Sequence, residues 1–121
     1  CLHVPGNQSK GAVVFIHGYG ANAYDLSGLI KYIRTKSPVD WFFPNGILEI
    51  PFAPGYSGRA WFPISVSGKV QQAVVTGDWS AIANLEPDGL KEAESAINKF
   101  LDNLPFSYDS LILGGFSQGA M

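Results

Sequence analysis

Apolar residues first gather at Ala12-Val13-Val14-Phe15-Ile16, a run rich in β-branched side chains between Gly11 and His17-Gly18. A run with no polar alternation has no solvent face, so it predicts a strand covered on both sides, as in a parallel sheet. After the loop Gly18-Tyr19-Gly20-Ala21-Asn22 the period changes. Leu26, Leu29, Ile30 and Ile33 fall at i, i+3, i+4 and i+7, one face of a helix. Asn22 suits the N-cap of that helix and Asp25 its first turn, while Lys31, Arg34 and Lys36 lie toward the end that favours cations. Pro38 marks a turn, and Ile47-Leu48-Glu49-Ile50 predicts a second strand ending at Pro51-Phe52-Ala53-Pro54.

Residues 54–82 hold Gly, Ser, Pro and the aromatics Tyr56, Trp61 and Phe62 without a sustained period. A loop of that length inside a compact domain usually serves function, or else it hides an element that the pattern does not show. Pro87 and Asp88 then open a helix whose apolar face is Leu90, Ala93, Ile97, Phe100, Leu101 and Leu104, and Pro105 stops it. Ser110 to Leu113 predicts the last strand. The order strand, helix, strand, loop, helix, strand argues an α/β fold: a mostly parallel sheet flanked by helices and joined by right-handed crossovers. No repeat or linker divides residues 1–121, which read as one domain.

Composition narrows the partners. With 46% apolar and only 15% charged residues the chain can bury a core. Its formal charge of −2, with scattered Lys and Arg, offers no patch for nucleic acid. The one cysteine, Cys1, allows neither an internal disulfide nor a cysteine metal cluster. No apolar run reaches the length of a membrane span, and a cytoplasmic location is expected.

Chemistry concentrates at the final strand, which runs into Gly115-Phe116-Ser117-Gln118-Gly119. A Gly-x-Ser-x-Gly turn between a strand and a helix raises the serine hydroxyl at the carboxyl edge of a parallel sheet, and the glycines make room for the sharp backbone. Ser117 is therefore the candidate nucleophile. Acyl transfer also needs donors for a developing oxyanion. The N–H of Gln118 follows the serine, and His17-Gly18-Tyr19-Gly20 can supply a second donor, the Tyr19 N–H, at the same edge of the sheet.

Taken together, His17-Gly18-Tyr19-Gly20-Ala21-Asn22, Tyr24-Asp25-Leu26, Arg59-Ala60-Trp61-Phe62 and Gly115-Phe116-Ser117-Gln118-Gly119-Ala120 resemble the phospholipase/carboxylesterase family. This is the bacterial esterase and acyl-protein thioesterase branch of the α/β-hydrolases. The resemblance implies the N-terminal part of an α/β-hydrolase fold and a serine hydrolase of esters or thioesters, with no metal or organic cofactor. It makes Ser117 the nucleophile and gives the oxyanion to the backbone N–H groups of Tyr19 and Gln118. It sets Trp61 near the acyl-binding side and gives His17 a loop-holding role. Pro63 stands where the family often has Asp.

In that fold the triad acid and histidine follow the serine, whereas four residues follow Ser117 here. The domain is thus expected to be incomplete, ending just after the nucleophile turn, with the base in an absent C-terminal half or a second chain. His3, in an N-terminal segment expected to fray, and His17 are poor substitutes. Asp25 reads as a helix-start charge, and Asp102 and Asp109 as surface residues. Two other readings stand beside the enzyme. One is a non-catalytic esterase-like fragment that binds acyl ligands or another subunit. The other is a nucleotide-binding domain, because Gly18-Tyr19-Gly20-Ala21-Asn22-Ala23 fits Gly-x-Gly-x-x-Gly/Ala. For that one the expected acid is poorly placed, since Asp40 precedes the second expected strand and Glu49 lies inside it.

Overall fold

Strand β2 (Gly11–Ile16) forms where the first apolar run predicts it, and the other sheet strands are ordered around it. The computed structural model describes residues 1–64, 72–73, 75–78, 80 and 86–121. β2 pairs in parallel with β3 (Val39–Phe43) on one side and with β6 (Ser110–Gly115) on the other. β1 (Leu2–Val4) pairs antiparallel with β3, so the N-terminal segment is a strand instead of a frayed end. The four-stranded order is β1-β3-β2-β6. The mostly parallel α/β architecture is therefore present.

Two elements differ from expectation. The second parallel strand is Val39–Phe43, and the segment at 47–50 lies instead in β4 (Leu48–Ala53), which pairs antiparallel with β5 (Tyr56–Ala60) as a separate two-stranded hairpin. Asp40 interrupts the apolar run of β3 and hides it in the pattern. Part of the expected long loop at 54–82 is thus β5, and 65–71, 74, 79 and 81–82 lie outside the described residues.

The helix expected over 22–33 is a series of turns closing on a short 3-10 helix, Ser27–Lys31. Its start signal is real. Asn22 Oδ1 accepts the Tyr24 N–H and Asp25 Oδ2 accepts the Asn22 N–H, each at 2.8 Å, a reciprocal cap. Ser27 Oγ then donates to the Tyr24 carbonyl at 2.7 Å, and the amides of Asp25, Ser27, Leu29 and Tyr32 each bond three residues back. Such local bonds compete with the α-helical ladder, and Gly28 adds little helix preference. Leu26 and Ile30 still pack inward, while Leu29 and Ile33 remain outside.

The second expected helix is α1 (Leu90–Asp102). It covers one sheet face, where Ala12, Val14 and Phe42 meet Phe100, Leu101 and Leu104, and Ile16 meets Ala93 and Ile97. Val13, Trp41 and Phe43 point to the opposite face and pack with Ala23, Leu26 and Ile30. The period-2 division of β2 and β3 thus builds both halves of the core. β6 is an edge strand, with Leu111, Ile112 and Leu113 exposed.

Asp40 shares its sheet face with Phe42 and is buried. Its Oδ2 accepts from Tyr108 Oη at 2.6 Å, and its Oδ1 accepts from the Gly6 N–H at 2.8 Å. His3 stacks on Phe42, with its Nε2 3.4 Å from Oδ2. Burial opposes the charge on Asp40, but the bonds from Tyr108 and Gly6 outweigh it and hold the carboxyl at about 2. Burial and the Asp40 carboxylate in turn push the Tyr108 phenol up to about 12.

The folded pKa of Asp40 lies below the ~3.9 of an unfolded Asp, so folding favours the ionised form. Its stabilisation, on the order of 2 kcal/mol, is present above the unfolded pKa and is lost as pH falls toward 2. In urea unfolding, Asp40→Asn is expected to lower stability at pH 7 by about 1–3 kcal/mol and to flatten the decline between pH 5 and 2.5. An equally steep acid decline in the variant would show that other groups govern it.

Candidate active site

β6 ends in the tightest turn of the site. Ser117 is exposed and adopts φ 54°, in the left-handed region, at the start of the 3-10 helix Ser117–Ala120. Such a conformation costs a non-glycine residue on the order of 1–3 kcal/mol and persists only where neighbours enforce it. Those neighbours are backbone. The Phe116 N–H donates to the Ile16 carbonyl at 3.0 Å, which ties the turn to the end of β2. A Cβ on Gly119 would lie 2.6 Å from the His17 carbonyl oxygen and closer still to that of Ile16, so the residue after Gln118 admits no side chain.

The loop after β2 lies directly against the serine. A Cβ on Gly18 would be 3.1 Å from Ser117 Cβ. The two motifs that the sequence separates by about a hundred positions therefore meet at the carboxyl ends of adjacent parallel strands. Among the described residues, neither the Tyr19 nor the Gln118 backbone N–H donates a hydrogen bond within the chain. The amides that follow are occupied: Gly20 N–H donates to the Arg59 carbonyl at 2.8 Å and Ala21 N–H to the Gly18 carbonyl at 3.3 Å.

His17 fixes this loop. It is 1% exposed; its Nε2 accepts the Gly46 N–H at 2.9 Å and its Nδ1 lies 2.7 Å from the Gly18 carbonyl. Those partners require the proton on Nδ1, donating to Gly18, and a lone pair on Nε2. Burial pushes the imidazole below its ordinary pKa despite the bond to Gly18, so the ring is neutral. Gly46 is used twice, since its carbonyl accepts from Arg59 Nε at 3.0 Å. Asn45 Oδ1 accepts the Ala23 N–H at 2.7 Å, and the Arg59 N–H returns to the Ala21 carbonyl at 2.8 Å.

Trp61 is buried at 3%, with its indole N–H donating to the His17 carbonyl at 2.8 Å. The Gln118 side chain reaches the same segment, where Oε1 accepts the Trp61 N–H at 2.9 Å and Nε2 donates to the Phe62 carbonyl at 2.8 Å. Pro63 lies against Gly89 at the start of α1, near the position a Gly89 Cβ would take.

With this geometry in view, the model of the phospholipase/carboxylesterase family matches residues 2–121. The chain belongs to that family. It is 32% identical over 127 residues to acyl-protein thioesterase 1 of Candida albicans, covering 98% of this chain and 52% of the relative. It is 31% identical to acyl-protein thioesterase 1 of Kluyveromyces lactis, covering 93% and 47% respectively. The protein of that name in Debaryomyces hansenii is 28% identical, over 93% and 48%. The chain spans about half the length of the curated relatives it matches.

For a phospholipase/carboxylesterase chain the positions of the titratable groups are informative. Both ring nitrogens of His17 are engaged away from Ser117. His3 lies on β1, at the opposite edge of the sheet from β6, about 14 Å away at ordinary strand spacing. Asp25 caps its own turn, and Asp109 precedes β6 at the end opposite Ser117. Asp102 closes α1 and is exposed. The glycine loop also departs from a nucleotide site: β3 ends in Phe43 without an acid, and the Asp40 carboxylate is committed to Tyr108 and Gly6. The motifs point to Ser117, Tyr19 and Gln118, but the supports Asn45, Gly46 and the Arg59 side chain have no sequence signature beyond Arg59's place in the family resemblance.

Two substitutions test this framework. Gly119→Ala must displace the Ile16 and His17 carbonyls, and is expected to cost more than about 2 kcal/mol in urea unfolding. Trp61→Phe keeps an aromatic ring but gives up the indole N–H and part of the buried volume, leaving the His17 carbonyl without its donor, an expected loss of about 1–3 kcal/mol. Wild-type stability in either variant would mean that the loops are held by other contacts.

Proposed function

We propose that the protein carrying this chain hydrolyses carboxylic esters or thioesters through an acyl-enzyme on Ser117. The posture of Ser117 carries the reading: an exposed hydroxyl held at positive φ on the carboxyl end of a parallel strand, against the loop that bears Tyr19. The unengaged amides of Tyr19 and Gln118 support it, since an oxyanion hole needs backbone donors free of internal acceptors. Family membership supports the hydrolase class, and relatives named as acyl-protein thioesterases bring thioesters into its scope.

In this mechanism Ser117 Oγ attacks the acyl carbon while its proton passes to a histidine. The carbonyl oxygen becomes an oxyanion facing the Tyr19 and Gln118 N–H groups. The alcohol or thiol leaves with that proton, and a water deprotonated by the same histidine releases the acid and restores Ser117. The chain's own histidines are committed elsewhere, so the proposal draws the histidine and its acid from outside these 121 residues. Trp61, though mostly buried, braces the loop through its indole N–H and also lines the cleft shared by Ile16, Gln118 and Gly119, which sets it on the acyl side in this reading. The expected cytoplasmic setting belongs to the same proposal; among the described residues no helix is long and apolar enough to cross a membrane.

The commitment of both histidines favours one competing reading, a non-catalytic module that binds acyl ligands. The full-length protein, assayed with a p-nitrophenyl ester and an acyl thioester, separates the two. Turnover that falls at least about 1000-fold in Ser117→Ala, with a fluorophosphonate adduct mapping to Ser117, is the expected result. Binding of acyl ligands without turnover or labelling would favour the non-catalytic module.

A further inference from the structure

Gln118 enters the proposed chemistry through its backbone N–H, yet its side chain is directed elsewhere. The residue is 6% exposed, and its carboxamide is engaged at both ends: Oε1 accepts the Trp61 N–H and Nε2 donates to the Phe62 carbonyl. Both partners lie on the segment following β5. That segment is bonded to the oxyanion loop through Trp61 Nε1 to the His17 carbonyl, and Arg59, near the end of β5, is bonded to Gly20 and Ala21 of the same loop. Among the described residues, no other side chain hydrogen-bonds to residues 116–121. The Gln118 backbone belongs to a four-residue 3-10 helix, too short for its own hydrogen bonds to fix the direction of the Gln118 amide, although the turn is anchored on either side of it by the Phe116 N–H and by Gly119.

We propose that the Gln118 carboxamide is a positioning group for acyl transfer. By gripping Trp61 and Phe62 it sets the direction of its own backbone N–H. Through Trp61 and His17 it registers that N–H against the Tyr19 N–H, so that two donors from separate loops converge on one oxygen. The inference rests on the Ser117 chemistry proposed above. It adds that the Gln118 side chain governs catalytic rate without touching the substrate. Preorganised donors lose much of their effect when displaced by a fraction of an ångström to an ångström.

Two variants of the full-length protein keep the backbone N–H and alter only the grip. Gln118→Met conserves length and removes both bonds. Gln118→Glu is a near isostere: protonated, it offers an acceptor to Trp61 and a donor to Phe62; ionised, it sets a negative oxygen against the Phe62 carbonyl. Rates are measured per folded molecule, well below the unfolding temperature, and compared with the extent of fluorophosphonate labelling at Ser117. Gln118→Met is expected to lower kcat roughly 10- to 100-fold while KM stays within about threefold. For Gln118→Glu, the ratio of its kcat to that of wild type is expected to rise as pH falls and the carboxyl takes up a proton. If the Met variant does not fold, this pH-dependent ratio carries the test.

A kcat per folded molecule within about twofold of wild type for each variant that folds, flat in pH for Glu, would overturn the inference and leave the carboxamide as scaffold. A wild-type protein that neither turns over ester nor takes the label at Ser117 would instead overturn the Ser117 reading, and this inference with it.

Discussion

A neutral imidazole sealed from water holds the loop cluster together. His17 receives the Gly46 N–H on one nitrogen and donates to the Gly18 carbonyl with the other, while its own carbonyl accepts the Trp61 indole. The loops after β2 and β3 and the segment after β5 therefore converge on one residue, and Gly119 of the serine turn packs against the same carbonyl. Each bond contributes only about 1 kcal/mol net, but an unpartnered buried group costs about 1–3 kcal/mol. The cluster is accordingly cooperative: loosening one loop strands a polar atom belonging to another. Protonating the ring would remove the only lone pair that Gly46 can use, which fits a histidine whose pKa burial lowers.

The consequence for chemistry is a division of labour between backbone and side chains. Among the described residues the backbone amides of Tyr19 and Gln118 donate no internal hydrogen bond, and the chemistry proposed above relies on them, while the side chains of His17, Asn45, Arg59, Trp61 and Gln118 are directed at other loops. Strain at Ser117 is sustained by this arrangement, because the residues around it cannot relax without breaking bonds that belong to neighbouring strands.

How much of this was legible in the chain depended on how local each cause is. The runs of β2 and β6, the apolar stripe of α1 and the glycine spacing around Ser117 are local patterns, and they predicted elements that formed. β3 escaped because Asp40 breaks its apolar run. That charge is tolerable only because Gly6, Tyr108 and His3, from distant parts of the chain, surround it. The segment after Asn22 misled for the opposite reason. Its periodicity was helical, but side-chain bonds from Asn22, Asp25 and Ser27 gave the backbone local alternatives. At the site, the motifs named the serine and the two amides, but not Gly46 or Asn45, whose roles depend on contacts across 29 and 22 residues.

The loop Gly18-Tyr19-Gly20-Ala21 takes its shape from amides, carbonyls and missing side chains, and this leaves the outward side chains unconstrained. Tyr19 is 37% exposed, and Phe52, whose ring lies over Gly20, and Tyr56 are more exposed still. Their identities can change without disturbing a bond that the loop depends on. A chain wired in this way can drift in what its surface accepts, one exposed aromatic at a time, while the backbone behind it stays the same.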